Sequence, residues 1–203
     1  LPDPIRHGTH LMADPGYIVD GVLTDPEAWV ALASTTLGTA AASITFTSTD
    51  DGQVGDFSQY MDLVAISYWR STESGGWEIG HQNLNGDSTA GNYACQLLYG
   101  DGSNDLAAAR ANSSINAFMA YGGLASDLFS VTVSQWFDVN SGKYKSSFHQ
   151  TASDANGSGY VDITFSIWKS QAAITSILLK SENGNLEAAT RIDLFGVLPR
   201  MVA

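Results

Sequence analysis

Asp101, Ser103 and Asp105 carry side-chain oxygens at alternate positions of the run Asp101-Gly-Ser-Asn-Asp105, a spacing that can present them to a hard cation such as calcium. The twelve-residue calcium loop needs glycine at its sixth position and a bidentate glutamate at its twelfth. Leu106 and Asn112 stand there, so an ordinary Asp/Gly turn is expected, and the pair Asp50 and Asp51 is read the same way. His7 and His10 lie three apart, with His81 and His149 far along the chain; nearby prolines oppose the helical turn that would bring the first two onto one zinc ion. Cys95 with His81 or His149 is formally a thiol and a base, but any chain with one cysteine and four histidines offers that pair. Gly157-Ser-Gly159 lacks the spacing and the strand-to-helix setting of a nucleophile elbow, and no glycine-rich phosphate loop occurs. Asp62, Glu78 and Asp138 neighbour aromatic residues and are the carboxylates to consider first for glycoside hydrolysis, yet nothing favours one pair over another. We therefore expect no catalytic centre, no metal and no other cofactor.

Aromatic residues offer a different chemistry. The apolar face of a sugar ring stacks on an indole or phenol rimmed by polar groups, and Trp69, Trp77, Tyr93 and Tyr99, with Tyr68, are candidate glycan contacts. The competing expectation for each is core packing, and Trp29, Trp136 and Trp168 are assigned to the core or its edge.

The elements that must position these residues are strands. Val161, Ile163, Phe165 and Ile167 alternate with Asp162, Thr164 and Ser166, and Phe129, Val131 and Val133 alternate with Ser130, Thr132 and Ser134. A strand with one face on a core turns its apolar set inward, so Ile163 and Phe165 are expected to be buried. Polar clusters such as Ser48-Thr-Asp-Asp-Gly52, Asn83-Leu-Asn-Gly-Asp87 and Asp154-Ala-Asn-Gly-Ser-Gly159 punctuate short apolar runs from Trp29 to Leu198, and only Ala107 to Ala111 suggests a single turn of helix. This spacing predicts an all-β fold, an antiparallel β-sandwich or jelly roll formed by residues 28–203 as a single domain. Residues 1–27 hold four of the five prolines and are expected to be an extended N-terminal arm. Ile5, Leu11, Met12, Tyr17, Ile18 and Val22 give that arm apolar surface to bury, either as a strap over its own domain or as an interface with another subunit.

Composition narrows the partners. Hydrophobic residues make up 44% of the 203 and charged ones only 15%, so the chain should fold and show a surface rich in Ser, Thr, Asn and Gly. A net charge of -12 repels nucleic acid and anionic membrane surfaces alike. The single Cys95 excludes an intramolecular disulfide framework, and no run of eighteen apolar residues occurs. The start Leu1-Pro-Asp-Pro-Ile-Arg does not have the form of a signal peptide, and a leading leucine is consistent with a processed N-terminus.

The segment after Ile174 adds a resemblance. Ile174-Thr-Ser-Ile-Leu-Leu-Lys180 and Thr190-Arg-Ile-Asp-Leu-Phe-Gly-Val197 are expected strands joined by a turn bearing Asn183, Gly184 and Asn185. Ile174, Ile177, Gly184, Asn185, Leu186, Ala188, Thr190, Ile192, Leu194, Phe195, Gly196 and Val197 resemble the closing strands of small β-sandwich structural proteins of tailed-phage virions. The resemblance implies a virion structural protein with no cofactor. An exterior capsid decoration or cement protein is the leading expectation, contacting other virion proteins through its arm as a homo-trimer. A tail-fibre or receptor-binding component and a carbohydrate-binding module are the alternatives.

Overall fold

A computed structural model describes residues 18–19, 22–23, 29–49, 54–75, 78–120, 122–123, 128–155 and 158–198. The arm residues Ile5, Leu11, Met12 and Tyr17 lie outside them. Ile18 and Val22 fall in a two-stranded antiparallel ladder of β1 (Ile18–Val19) and β2 (Val22–Leu23).

The other strands are β3 (Trp29–Thr36), β4 (Ser43–Thr47), β5 (Asp62–Trp69), β6 (Glu78–Leu84), β7 (Tyr93–Gly100), β8 (Asp105–Asn112), β9 (Ile115–Met119), β10 (Ser130–Trp136), β11 (Lys145–Asp154), β12 (Gly159–Trp168), β13 (Ser176–Ser181) and β14 (Arg191–Val197). A 3-10 turn at Phe57–Gln59, capped by Asp56 accepting from the Ser58 amide, is the only helical element among the described residues. The expected β-sandwich is present. Eight strands form one sheet in the order β3-β14-β5-β10-β11-β12-β7-β8, four form a second in the order β4-β13-β6-β9, and every pairing is antiparallel.

Where the two sheets meet, the large one contributes Leu63, Ala65, Trp69, Ile192 and Leu194, and the small one Ile44, Phe46, Leu84, Ile115, Met119, Ile177 and Leu179. Close packing here depends on a missing side chain: a Cβ on Gly80 would stand 2.1 Å from the Trp69 ring.

Three expectations are corrected. The run Ala107 to Ala111 belongs to the edge strand β8, paired with β7 from Tyr93↔Asn112 to Gly100↔Asp105. Tertiary pairing overrides the helix propensity of alanine there. The segments after Ile174 are strands but not a hairpin: β13 lies in the small sheet between β4 and β6, and β14 in the large sheet between β3 and β5. The connection crosses from sheet to sheet, with Leu186 buried and bridged to both Ala41 and Ser71.

The third correction concerns faces. In β12 the buried residues are Tyr160, Asp162, Thr164, Ser166 and Trp168, while Phe165 is 51% exposed and Ile163 only partly buried. The strand is correctly placed and its orientation is the reverse of the hydrophobic expectation. The antiparallel registers carry the same choice across the sheet. Thr164 pairs with His149 and Ser166 with Ser147, all buried, whereas Phe165 pairs with Phe148, and β10 buries Thr132 and Ser134 while exposing Val133.

Candidate functional site

Between the sheets, the β10-β11-β12 portion of the large sheet presents a seam of hydroxyl, amide and imidazole groups. Hydrogen bonds among them offset part of the cost of burying them, while Thr164 Oγ1, His149 Nδ1 and Gln82 Oε1 are buried with no partner. The Trp69 indole N–H donates to Thr132 Oγ1 at 3.0 Å, and that oxygen meets Thr151 Oγ1 at 2.9 Å. Gln82 Nε2 reaches across from the small sheet to Ser134 Oγ at 2.8 Å; His149 Nε2 lies 2.9 Å from Ser147 Oγ, and Ser130 Oγ is 3.0 Å from the Tyr160 hydroxyl. Burial drives the His149 pKa down to about 3, so its imidazole is neutral. So weak a base cannot activate a thiol near neutral pH. The Cys95 sulfur, also buried, lies 3.8 Å from the Ser114 carbonyl.

The carboxylates are likewise occupied. Asp62 accepts from Gln135 Nε2 and from the Asp138 amide, and Glu78 accepts from the Ser181 hydroxyl and the Asn183 amide. The two sit on different sheets. Asp101 closes its own turn: Oδ1 accepts from the amides of Ser103 and Asn104, and Oδ2 from Asn104 Nδ2 and the Tyr99 hydroxyl. Those bonds, the one from the Asn104 side chain first, hold its carboxyl below the usual range. No grouping of three or more His, Cys, Asp or Glu that could hold a metal occurs among the described residues.

Of the candidate glycan contacts among the described residues, Tyr68 is 48% exposed and the others are partly or wholly withdrawn from the surface. Trp69 is fully buried and spends its indole N–H on Thr132, and Tyr93 is buried with its hydroxyl donating to the Asp87 carbonyl, so neither can stack on a sugar. Tyr99 is half-buried, tilted against Tyr160, and Trp77 lies outside the described residues.

What the fold does assemble is the opposite face of the large sheet. Val161 is 60% exposed, Phe165 51%, Leu98 47% and Ile167 45%. Val131 and Val133 extend this surface on β10, Phe148 and Ala152 on β11, Ala94 on β7, and Ala107, Ala109 and Ala111 on β8. Phe148 and Phe165 meet across strands with ring centroids 4.9 Å apart, forming a ridge. The same two rings form part of the wall of a groove of about 920 Å³ that is lined also by Ala94, Ala109, Ala111, Phe137 and Ile167. Among the described side chains, the outward positions of β10, β11, β12, β7 and β8 carry charge only at strand ends, at Asp154 and Asp105. On the far side of the sheet Arg191 and Asp193 of β14 face outward and pair at 3.0 Å. An uncharged apolar centre with charge confined to its margin is the composition of a protein interface.

This surface was missed because alternation alone does not say which set points inward. The polar residues at every other position of β11 and β12 bond to one another only in part, Ser147 to Ser166 and to His149, while Thr164 Oγ1 and His149 Nδ1 are buried with no partner.

Comparison with protein-family models, with curated proteins and with solved structures finds no match to this chain.

Proposed function

We propose that the protein is a structural subunit of a virion, placed on the particle exterior, that works by binding other proteins rather than by catalysis. The observation that carries this reading is the outer face of the large sheet. A chain with 21 acidic and nine basic residues keeps charge off the centre of one broad sheet face, where it exposes Val161, Phe165 and Ile167. Exposing that much apolar surface is costly for a protein that works alone, and burial in an assembly removes the cost. The resemblance of residues 174–197 to the closing strands of tailed-phage β-sandwich proteins supplies the setting, and the net charge of -12 suits a surface turned to solvent rather than to packaged nucleic acid. A decoration or cement role is favoured over a tail-fibre role by the apolar residues of the arm, which can bridge neighbouring shell subunits. The carbohydrate-binding reading loses Trp69 and Tyr93 to the core.

The test is the copy number of this polypeptide in purified particles, measured against the major shell protein. A decoration protein is present in lattice proportion and a tail component in far lower proportion. Absence from purified particles would refute the virion assignment. Chains beginning at Ala28 separate the arm's role: they should fold but fail to occupy particles, and full occupancy without residues 1–27 would move the docking function onto the sandwich.

A further inference from the structure

We infer that the interior of the sandwich contains a binding site for one structural water molecule, held between His149 and Thr164 where the chain leaves buried polar atoms open. The inference concerns the space between the sheets and is independent of what covers the outer face.

The site follows from register. Ser134, His149 and Thr164 stand directly opposite one another on β10, β11 and β12, and all three are fully buried. Directly opposed side chains on one face of an antiparallel ladder have Cβ atoms about 4.5 to 5.5 Å apart. Ser134 Oγ accepts from Gln82 Nε2 at 2.8 Å, which brings the Gln82 amide from the small sheet into the same row. Gln82 Oε1, His149 Nδ1 and Thr164 Oγ1 have no hydrogen-bond partner in the chain. Open polar atoms are therefore concentrated in one transverse row. An interior polar atom without a partner costs stability, and native interiors satisfy such atoms with protein groups or with ordered water.

The bonds already made lead to the same place. Ser166 Oγ meets Ser147 Oγ at 2.5 Å, and Ser147 Oγ lies 2.9 Å from His149 Nε2. Thr164 and Ser166 are successive inward residues of β12. A water between His149 Nδ1 and Thr164 Oγ1 closes this chain into a ring of hydrogen bonds across β11 and β12. The residues around the row are small. Ser147 and Ser166 are its neighbours along β11 and β12, and the buried Ala117 belongs to β9, the strand of the small sheet that contacts β10, β11 and β12. Serine and alanine fill little of the space beside an imidazole and a threonine, and one water needs only about 10 to 15 Å³ of it.

The chemistry of the row selects water over an ion. Burial keeps His149 neutral, so nothing in the row attracts an anion. No carboxylate in the row is placed to hold a cation: Asp162, the buried acid of β12, lies in the next row, opposite Thr151 and Tyr99. A hydroxyl donates and accepts, an amide oxygen accepts, and a neutral imidazole nitrogen does one or the other according to its tautomer. A single-atom ligand that can both donate and accept suits all of them.

A crystal structure of the full chain, at a resolution that shows ordered interior water, tests this. The expected result is a solvent peak ~2.7 to 3.2 Å from both His149 Nδ1 and Thr164 Oγ1. Thr164→Val keeps the shape of the side chain and removes one of those partners. Oxygen-17 magnetic relaxation dispersion should then report one fewer long-lived water than in the parent chain, and the Nδ1 resonance of His149 should shift. Val133→Thr, on the outer face, should change neither. If Thr164→Val does not fold, the parent structure alone decides. A direct bond between His149 Nδ1 and Thr164 Oγ1, an ion in that position, or a count of long-lived waters unaltered by Thr164→Val would overturn the inference.

Discussion

Replacing Thr132 by valine changes one hydroxyl into a methyl of nearly the same size, and the structure sets what that should cost. Thr132 is fully buried, its Oγ1 accepting the Trp69 indole N–H at 3.0 Å and meeting Thr151 Oγ1 at 2.9 Å. Valine strands both partners in a dry interior, at ~1 to 3 kcal/mol each, and regains about 0.8 kcal/mol from the extra buried methyl. The net is a destabilisation of ~3 kcal/mol, a fall in Tm of roughly 6 to 12 °C for a domain of this size. Val133→Thr is the control, because Val133 is the next residue along β10 and is 38% exposed on the other face. It should stay within about 0.5 kcal/mol of the parent. Urea or thermal unfolding measures both. A stable Thr132→Val with a damaged Val133→Thr would mean that the seam faces solvent and the valines face the core, and the argument for an apolar outer surface would go with it.

His149 makes stability depend on pH. Its folded pKa of about 3 lies below an unfolded value of ~6.5, so only the unfolded chain takes up the proton between those limits. The contribution is complete above pH ~6.5 and is lost as pH falls toward 3, by up to ~1.4 kcal/mol per unit. Urea midpoints from pH 7.5 to 4.5 should fall less steeply in His149→Gln; equal slopes would show that His149 is not buried neutral, since His81, which burial shifts in the same direction, is present in both proteins. Gly80→Ala drives a methyl into the Trp69 ring and should cost ~1 to 3 kcal/mol by denaturant unfolding, and a neutral result would mean the Trp69 ring does not lie on β6 as described.

The sequence made the strands and the sandwich plain, because period two is local and survives whatever surrounds it. Orientation was less accessible. Ile163 and Phe165 look like core residues in any isolated strand, and the orientation is visible only in the neighbouring strand, whose inward residues His149 and Ser147 lie opposite Thr164 and Ser166, with Ser147 bonding to Ser166. The expected site residues fared according to the same rule. Trp69 and Tyr93 were legible as aromatics but not as buried ones, since their depth depends on partners far along the chain, Thr132 63 residues from Trp69. The helical turn expected at Ala107 to Ala111 failed because alanine's local preference is small beside a full ladder to β7.

The positions of β13 and β14 bear on how the molecule comes into being. Neither strand is at an edge: β13 separates β4 from β6, and β14 separates β3 from β5. Synthesis reaches them only after residue 175, when every other strand among the described residues has already been made. Until then β3 has no strand to join it to the large sheet, β4 is severed from the small one, and the interior they enclose has no seal at Leu186. Contacts between segments so distant in sequence form slowly. A chain lacking these strands holds two incomplete sheets and no closed sandwich, and its unpaired strand edges are of the kind that make partly folded chains aggregate.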